Sequence, residues 1–134
     1  MNIQLFLTLY AISVPLFFAI DMLWLGVVAK DFYRSRLDHL LGDINWPAAI
    51  IFYLVFLVGL TLFATYPAVV KGALSYALIW GALFGFFTYA TYDLTNLATM
   101  RDFPLSVALV DMVWGTFLGA SVAASTFIVY GWFQ

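Results

Sequence analysis

The length, composition and charge of this chain exclude several classes of protein. Its 134 residues are 66% hydrophobic and 9% charged, whereas a soluble domain carries about 25% charged residues, so most of its surface suits lipid. The net charge of -2 provides no basic surface and predicts no nucleic-acid partner. Cysteine is absent, which excludes disulfides, thiolate metal sites and cysteine nucleophiles.

The first apolar stretch predicts a membrane-spanning helix over residues 3–29. It carries one charge, Asp21, and is long enough to cross the roughly 30 Å hydrocarbon core of a bilayer. A signal peptide is the alternative, but no basic residue precedes the stretch and no small-x-small cleavage site follows it. Pro15 should loosen this helix because it removes one backbone donor.

Residues 30–45 hold half of the charged residues of the chain. Their apolar side chains recur at roughly helical spacing, which predicts a short amphipathic helix in the headgroup region. Gly42 should end it.

Three further apolar stretches predict spanning helices over residues 46–66, 72–98 and 104–130. Pro47 fits the first turn of the second helix, and Pro67 should stop it. Aromatic residues near the ends of this helix are expected to act as interfacial anchors: Trp46, Tyr53 and Tyr66. The predicted fold class is therefore all-α, a single transmembrane domain over residues 1–134. Its four helices form an integral membrane bundle, with a short amphipathic interfacial segment between helices 1 and 2.

The basic residues predict the orientation. The loops after the first and third helices contain four of the five, and the opposite side contains only Lys71. The four are Lys30, Arg34, Arg36 and Arg101. The positive-inside bias places these loops in the cytoplasm and both termini outside, and the bilayer is the first expected partner.

Three carboxylates, Asp21, Asp93 and Asp111, lie within the predicted helices. At 1.5 Å per residue each falls roughly 8–12 Å inside the cytoplasmic boundary, so they form one layer if the helices bundle. A charge at the centre of a spanning helix costs about 2.5–3.5 kcal/mol, and intramembrane acids indicate a functional site by default. The predicted polar cluster, a binding candidate, consists of Asp21, Asp93, Asn96, Asp111, Tyr89, Tyr92, Trp24 and Trp114.

Small residues repeat every four positions in the third and fourth helices. Gly81–Gly85 and Gly115–Gly119 are GxxxG pairs, which allow two helices to pack closely. In an antiparallel hairpin, one register pairs Gly81 with Ala123, Gly85 with Gly119, Tyr89 with Gly115, and Asp93 with Asp111.

Two facing carboxylates in low dielectric need a proton, a cation or a basic side chain between them. Arg34, Arg36 and Arg101 are the candidate positively charged partners. A metal ion, if one binds, would be held by Asp93 and Asp111. The alternative is that these acids only cap helices or bond across them.

The motif Asp-x-x-Trp occurs twice, at Asp21–Trp24 and Asp111–Trp114. It places an amphipathic indole one turn from a carboxylate. No His-x-x-x-His pair, Gly-rich phosphate loop or nucleophile elbow occurs, so the sequence indicates no cofactor and no hydrolytic site.

Motifs along nearly the whole chain resemble those of the small bacterial membrane proteins of the domain-of-unknown-function family 2177. The most specific is Tyr92-Asp-Leu-Thr-Asn-Leu-Ala-Thr99. The others are Asp21-x-x-Trp24-Leu-Gly26, Pro47-Ala with Phe52-Tyr53 and Gly59-Leu, Pro67-Ala, Pro104, and Asp111-x-x-Trp114-Gly115. The resemblance implies a bacterial inner-membrane protein of four helices and supplies no activity.

Three functional hypotheses follow. The carboxylate cluster binds or transports a proton, a cation or a small solute, which for four helices predicts a homo-oligomer. Alternatively, the protein is a membrane-embedded enzyme or binder acting on a lipid or isoprenoid. In the third, it is an accessory structural subunit of a larger membrane complex.

Overall fold

The computed structural model describes residues 1–134 and is helical throughout, without strands. Four helices are long and apolar enough to cross a membrane: α1 (Ile3–Val28), α3 (Trp46–Lys71), α4 (Leu74–Thr99) and α5 (Leu105–Trp132). The short helix α2 (Lys30–Leu37) lies between the first two. The predicted all-α bundle of four spanning helices with an amphipathic segment after the first is confirmed. Both termini lie at one end, and α2 lies at the other, which we call the basic end.

Asparagine side chains cap the start of two of the four spanning helices. The Asn2 side chain accepts a hydrogen bond from the Leu5 N–H over 3.1 Å at the start of α1. The Asn45 side chain accepts one from the Ala48 N–H over 3.2 Å at the start of α3. These caps satisfy backbone donors that have no partner within the helix.

Pro67 does not end the second spanning helix, so the predicted end at residue 66 was wrong. The helix continues to Lys71 and ends at Gly72, whose φ of +64° suits glycine. Residues Thr61–Thr65, just before the proline, are π-helical. Because a local π turn shifts the hydrogen-bond pattern, it relieves the clash and the missing donor that proline introduces.

Helix α2 ends at Leu37 rather than at Gly42. Its apolar face packs against the start of α5: Phe32, Tyr33 and Leu37 contact the cluster of Phe103, Val107 and Ala108. Leu40 and Leu41, which follow, are 38% and 55% exposed. Because these side chains leave the bundle, no packing sustains further helical turns.

The closest pair of helices is α4 and α5. A methyl group added at Gly81 would meet the Gly119 backbone and the Ala123 side chain, and one at Gly85 would meet the Gly115 carbonyl. A methyl group at Gly115 would meet the Tyr89 ring. Backbone contact along this line fixes the register of the two helices.

The half of the bundle nearer the termini has a largely apolar core, and its buried polar groups are the hydroxyls of Ser13, Thr61, Thr65 and Thr126. Its fully buried large side chains are Leu9, Phe17, Leu57, Leu60, Leu118 and Val122. The carboxylates lie beyond this core, toward the basic end.

Candidate functional site

The two Asp-x-x-Trp motifs interlock where α1 crosses α5. The Trp114 Nε1–H donates to Asp21 Oδ1 over 3.3 Å, so the indole of one motif binds the carboxylate of the other. The Trp24 and Trp114 rings stack with centroids 4.4 Å apart and planes 5° apart. The motifs therefore join the two helices instead of serving each helix separately.

Tyr33 connects α2 to this arrangement. Its hydroxyl accepts a hydrogen bond from Trp24 Nε1–H over 3.2 Å and donates one to Asp111 Oδ1 over 2.9 Å. Burial, reinforced by the nearby Asp111 carboxylate, raises the pKa of Tyr33 above its ordinary value, so the phenol remains a donor. Sequence reasoning missed this residue and offered Arg34 and Arg36 instead, both of which are exposed.

Asp93 lies beside Asp111, close enough for the two carboxyl groups to interact directly. It is fully buried, and no N–H or hydroxyl donor of another residue reaches either carboxyl oxygen. No three His, Asp or Glu side chains come close enough to share a metal ion. A metal ion between Asp93 and Asp111 would therefore need backbone or water ligands in addition.

A cavity of about 470 Å³ opens beside the carboxylates, within the size range of small-molecule sites. All four spanning helices line it, through Asp21, Leu25, Ala49, Phe52, Tyr53, Thr88, Tyr89, Tyr92, Asp111 and Trp114. Asp21 lies deep and is 2% exposed, whereas Phe52 and Tyr92 at the rim are 45% and 60% exposed. The first half of α3 makes few contacts with α4, so the rim lies on the lateral surface between these two helices.

The structure brings together most of the side chains that the sequence placed in the polar cluster. Asp21, Asp111, Tyr89, Tyr92 and Trp114 line the cavity. The other three do not: Trp24 lies behind Trp114, Asp93 lies behind Asp111, and Asn96 is half-buried nearer the end of α4.

For several residues that line the cavity, nothing in the sequence distinguishes them from residues that face lipid. Tyr53, predicted as an interfacial anchor, instead lies against Phe17 with ring centroids 5.1 Å apart and forms a wall of the cavity. A larger groove of about 840 Å³ along α1 contains no ionisable side chain. It therefore offers less for polar recognition than the cavity at the carboxylates.

Comparison with known proteins agrees with a multi-pass membrane protein. No curated protein and no solved structure matches the chain. A family model described as "predicted membrane protein" matches residues 6–128, nearly the whole chain. The protein belongs to that family, the domain-of-unknown-function family 2177.

Proposed function

We propose that this protein binds a membrane amphiphile, a lipid or an isoprenoid, in the cavity beside Asp21 and Asp111. The polar headgroup contacts these two carboxylates, and the apolar chain leaves through the rim between α3 and α4. The observation that carries the proposal is a cavity with carboxylates at its inner wall and exposed aromatic side chains at a lateral rim.

The lining of the cavity supports an amphiphile rather than a small polar solute. Seven of its ten lining residues are hydrophobic, and ligand sites of this type fix orientation with a few polar groups. Because Phe52 and Tyr92 are exposed on a surface that lipid covers, a ligand can enter sideways from the bilayer.

The apolar core argues against a transport pathway through one copy of the chain. Phe17, Leu57 and Leu60 are fully buried, and they fill the bundle between the carboxylates and the end that holds the termini. The buried polar groups in that half are hydroxyls alone, those of Ser13, Thr61, Thr65 and Thr126. None of them carries a charge that would pair with a moving proton or cation, and an unpaired charge in low dielectric is costly. Transport therefore requires an oligomer or a rearranged core, and binding requires neither.

We also propose that the site faces the cytoplasmic leaflet of the membrane. With the basic end facing the cytoplasm of a bacterial inner membrane, as the positive-inside bias predicts, the cavity opens into the cytoplasmic leaflet. The ligand would then be drawn from that leaflet.

Filling the cavity tests the proposal. Ala49 lines the cavity, and the substitution Ala49→Phe places a large side chain in it; the neighbouring Ala48 is exposed, so Ala48→Phe adds the same group outside. Thermal unfolding in dodecyl maltoside is measured with and without dodecanol as the probe. A ligand that binds only the folded state raises the melting temperature as its concentration increases.

We expect dodecanol to stabilise the wild type and Ala48→Phe, and to have little effect on Ala49→Phe. Non-specific effects of the alcohol on the micelle are the same for both variants. Equal stabilisation of Ala49→Phe and Ala48→Phe, or none of the wild type, would show that the cavity is not the binding site.

A further inference from the structure

We infer, on the basis of the proposed function, that the ligand of this cavity is a cationic amphiphile with an ammonium headgroup and no adjacent anion. This follows from the absence of basic groups from the site, from the free oxygens of the carboxylates and from the aromatic walls.

The carboxylates of the site have no basic partner in the protein. The five Lys and Arg side chains are all exposed, and none lines the cavity: Lys30, Arg34, Arg36, Lys71 and Arg101. His39 is also exposed, and its Nε2 contacts the Asp102 carbonyl 2.9 Å away. The charge on Asp21 and Asp111 is therefore left for a ligand to neutralise.

The hydrogen bonds at the site leave room for such a ligand. Asp21 and Asp111 each accept one hydrogen bond through Oδ1, from Trp114 and Tyr33 respectively. No N–H or hydroxyl donor of the protein reaches the second oxygen of either carboxylate, and both residues line the cavity. An ammonium group, which has only donors, pairs with such oxygens in strong charge-assisted hydrogen bonds.

Asp93 lies behind this wall, next to Asp111. Its buried carboxyl receives no hydrogen bond from an N–H or hydroxyl donor of another residue. Two adjacent carboxylates repel each other unless a positive charge or a proton lies nearby. Without a cation such a pair holds one negative charge and one proton, and a cation at Asp111 would stabilise the ionised pair.

The remaining walls are also suited to a cation. Four aromatic side chains that carry a polar atom line the cavity with the carboxylates: Tyr53, Tyr89, Tyr92 and Trp114. The faces of such rings attract ammonium groups, most strongly where water is excluded. Since no basic side chain lines the cavity, a headgroup phosphate would have no charged partner there, which argues against a zwitterionic lipid.

The test compares three probes of equal chain length: dodecylamine, dodecanol and dodecanoate. Affinity for the full chain in dodecyl maltoside at pH 7 is obtained from the concentration dependence of the melting temperature. We expect the wild type to bind dodecylamine at least tenfold more tightly than dodecanol, and dodecanoate more weakly than both.

The variants Asp111→Asn and Asp21→Asn should lose most of the preference for the amine over dodecanol, because the amide that replaces each carboxylate carries no charge. Asp43→Asn is the matched control, because Asp43 is exposed and outside the cavity, and it should keep the preference. The wild-type comparison does not depend on any variant folding.

The outcomes separate this inference from the proposed function. Equal affinity for amine and alcohol in the wild type overturns the cationic headgroup and leaves amphiphile binding intact. A preference that survives in both Asn variants also overturns it, since the charge then acts outside the cavity. Failure of all three probes to bind overturns both.

Discussion

At the scale of single residues, the site depends on donors that reach carboxylates from other helices. Asp21 on α1 receives its hydrogen bond from Trp114 on α5, and Asp111 on α5 receives its own from Tyr33 on α2. A carboxylate buried without a donor costs about 1–3 kcal/mol or more. Each of these contacts therefore joins two helices as well as stabilising a charge.

Tyr33→Phe tests the contact between α2 and the site. Phenylalanine keeps the apolar packing of the ring and removes the hydroxyl that bonds Trp24 and Asp111. We expect the free energy of unfolding to fall by about 1–3 kcal/mol, measured by titration of dodecyl maltoside micelles with dodecyl sulfate.

Tyr130→Phe is the control for that substitution. Tyr130 is also half-buried, and its phenol forms no hydrogen bond with another residue, so its loss should change stability little. If the two variants lose the same stability, the Tyr33 hydroxyl contributes nothing specific at Asp111.

At the scale of helices, α4 and α5 pack so closely that a single methyl group has no space. A β-carbon at Gly85 would overlap the carbonyl oxygen of Gly115, which is backbone and cannot rotate away. The contact also fixes the register that brings Asp93 beside Asp111 two turns further along. The glycine line therefore supports the geometry of the site as well as the fold.

Gly85→Ala should destabilise the protein despite the better helix propensity of alanine. Overpacking of this kind costs about 1–3 kcal/mol. Gly131→Ala, where nothing lies within 4 Å of the added carbon, should be neutral or slightly stabilising. The free energy of unfolding of both variants in the same detergent titration decides the point. A Gly85→Ala protein as stable as Gly131→Ala would mean that α4 and α5 are able to move apart freely.

The sequence predicted the structure best where a single repeating pattern of residues determines it. Apolar runs predicted the spanning helices, and the four-residue spacing from Gly81 to Asp93 predicted the side of α4 that lies against α5. It failed at Pro67, because the π-helical turn that accommodates the proline depends on neighbouring helices. It also missed Tyr33 and Phe52, since one face of a short helix or one aromatic among many gives no signal before the helices are packed.

At the scale of the whole molecule, the bundle has two unlike halves. Toward the termini the interior contains leucine, valine and phenylalanine with a few buried hydroxyls and no ionisable side chain, and toward the basic end it holds three carboxylates and the cavity. Orientation in the membrane therefore decides which leaflet the cavity meets. The bias of four basic residues against one predicts the cytoplasmic leaflet.

The absence of native cysteine allows this orientation to be measured with single-cysteine variants. Asp43 and Ser75 are exposed at opposite ends of the bundle, and neither substitution changes the count of basic residues. A membrane-impermeant maleimide should label Ser75→Cys in intact spheroplasts and Asp43→Cys only after permeabilisation. The reverse pattern would place the cavity in the outer leaflet. The proposed ligand would then have to come from that leaflet, while the binding chemistry at Asp21 and Asp111 would be unchanged.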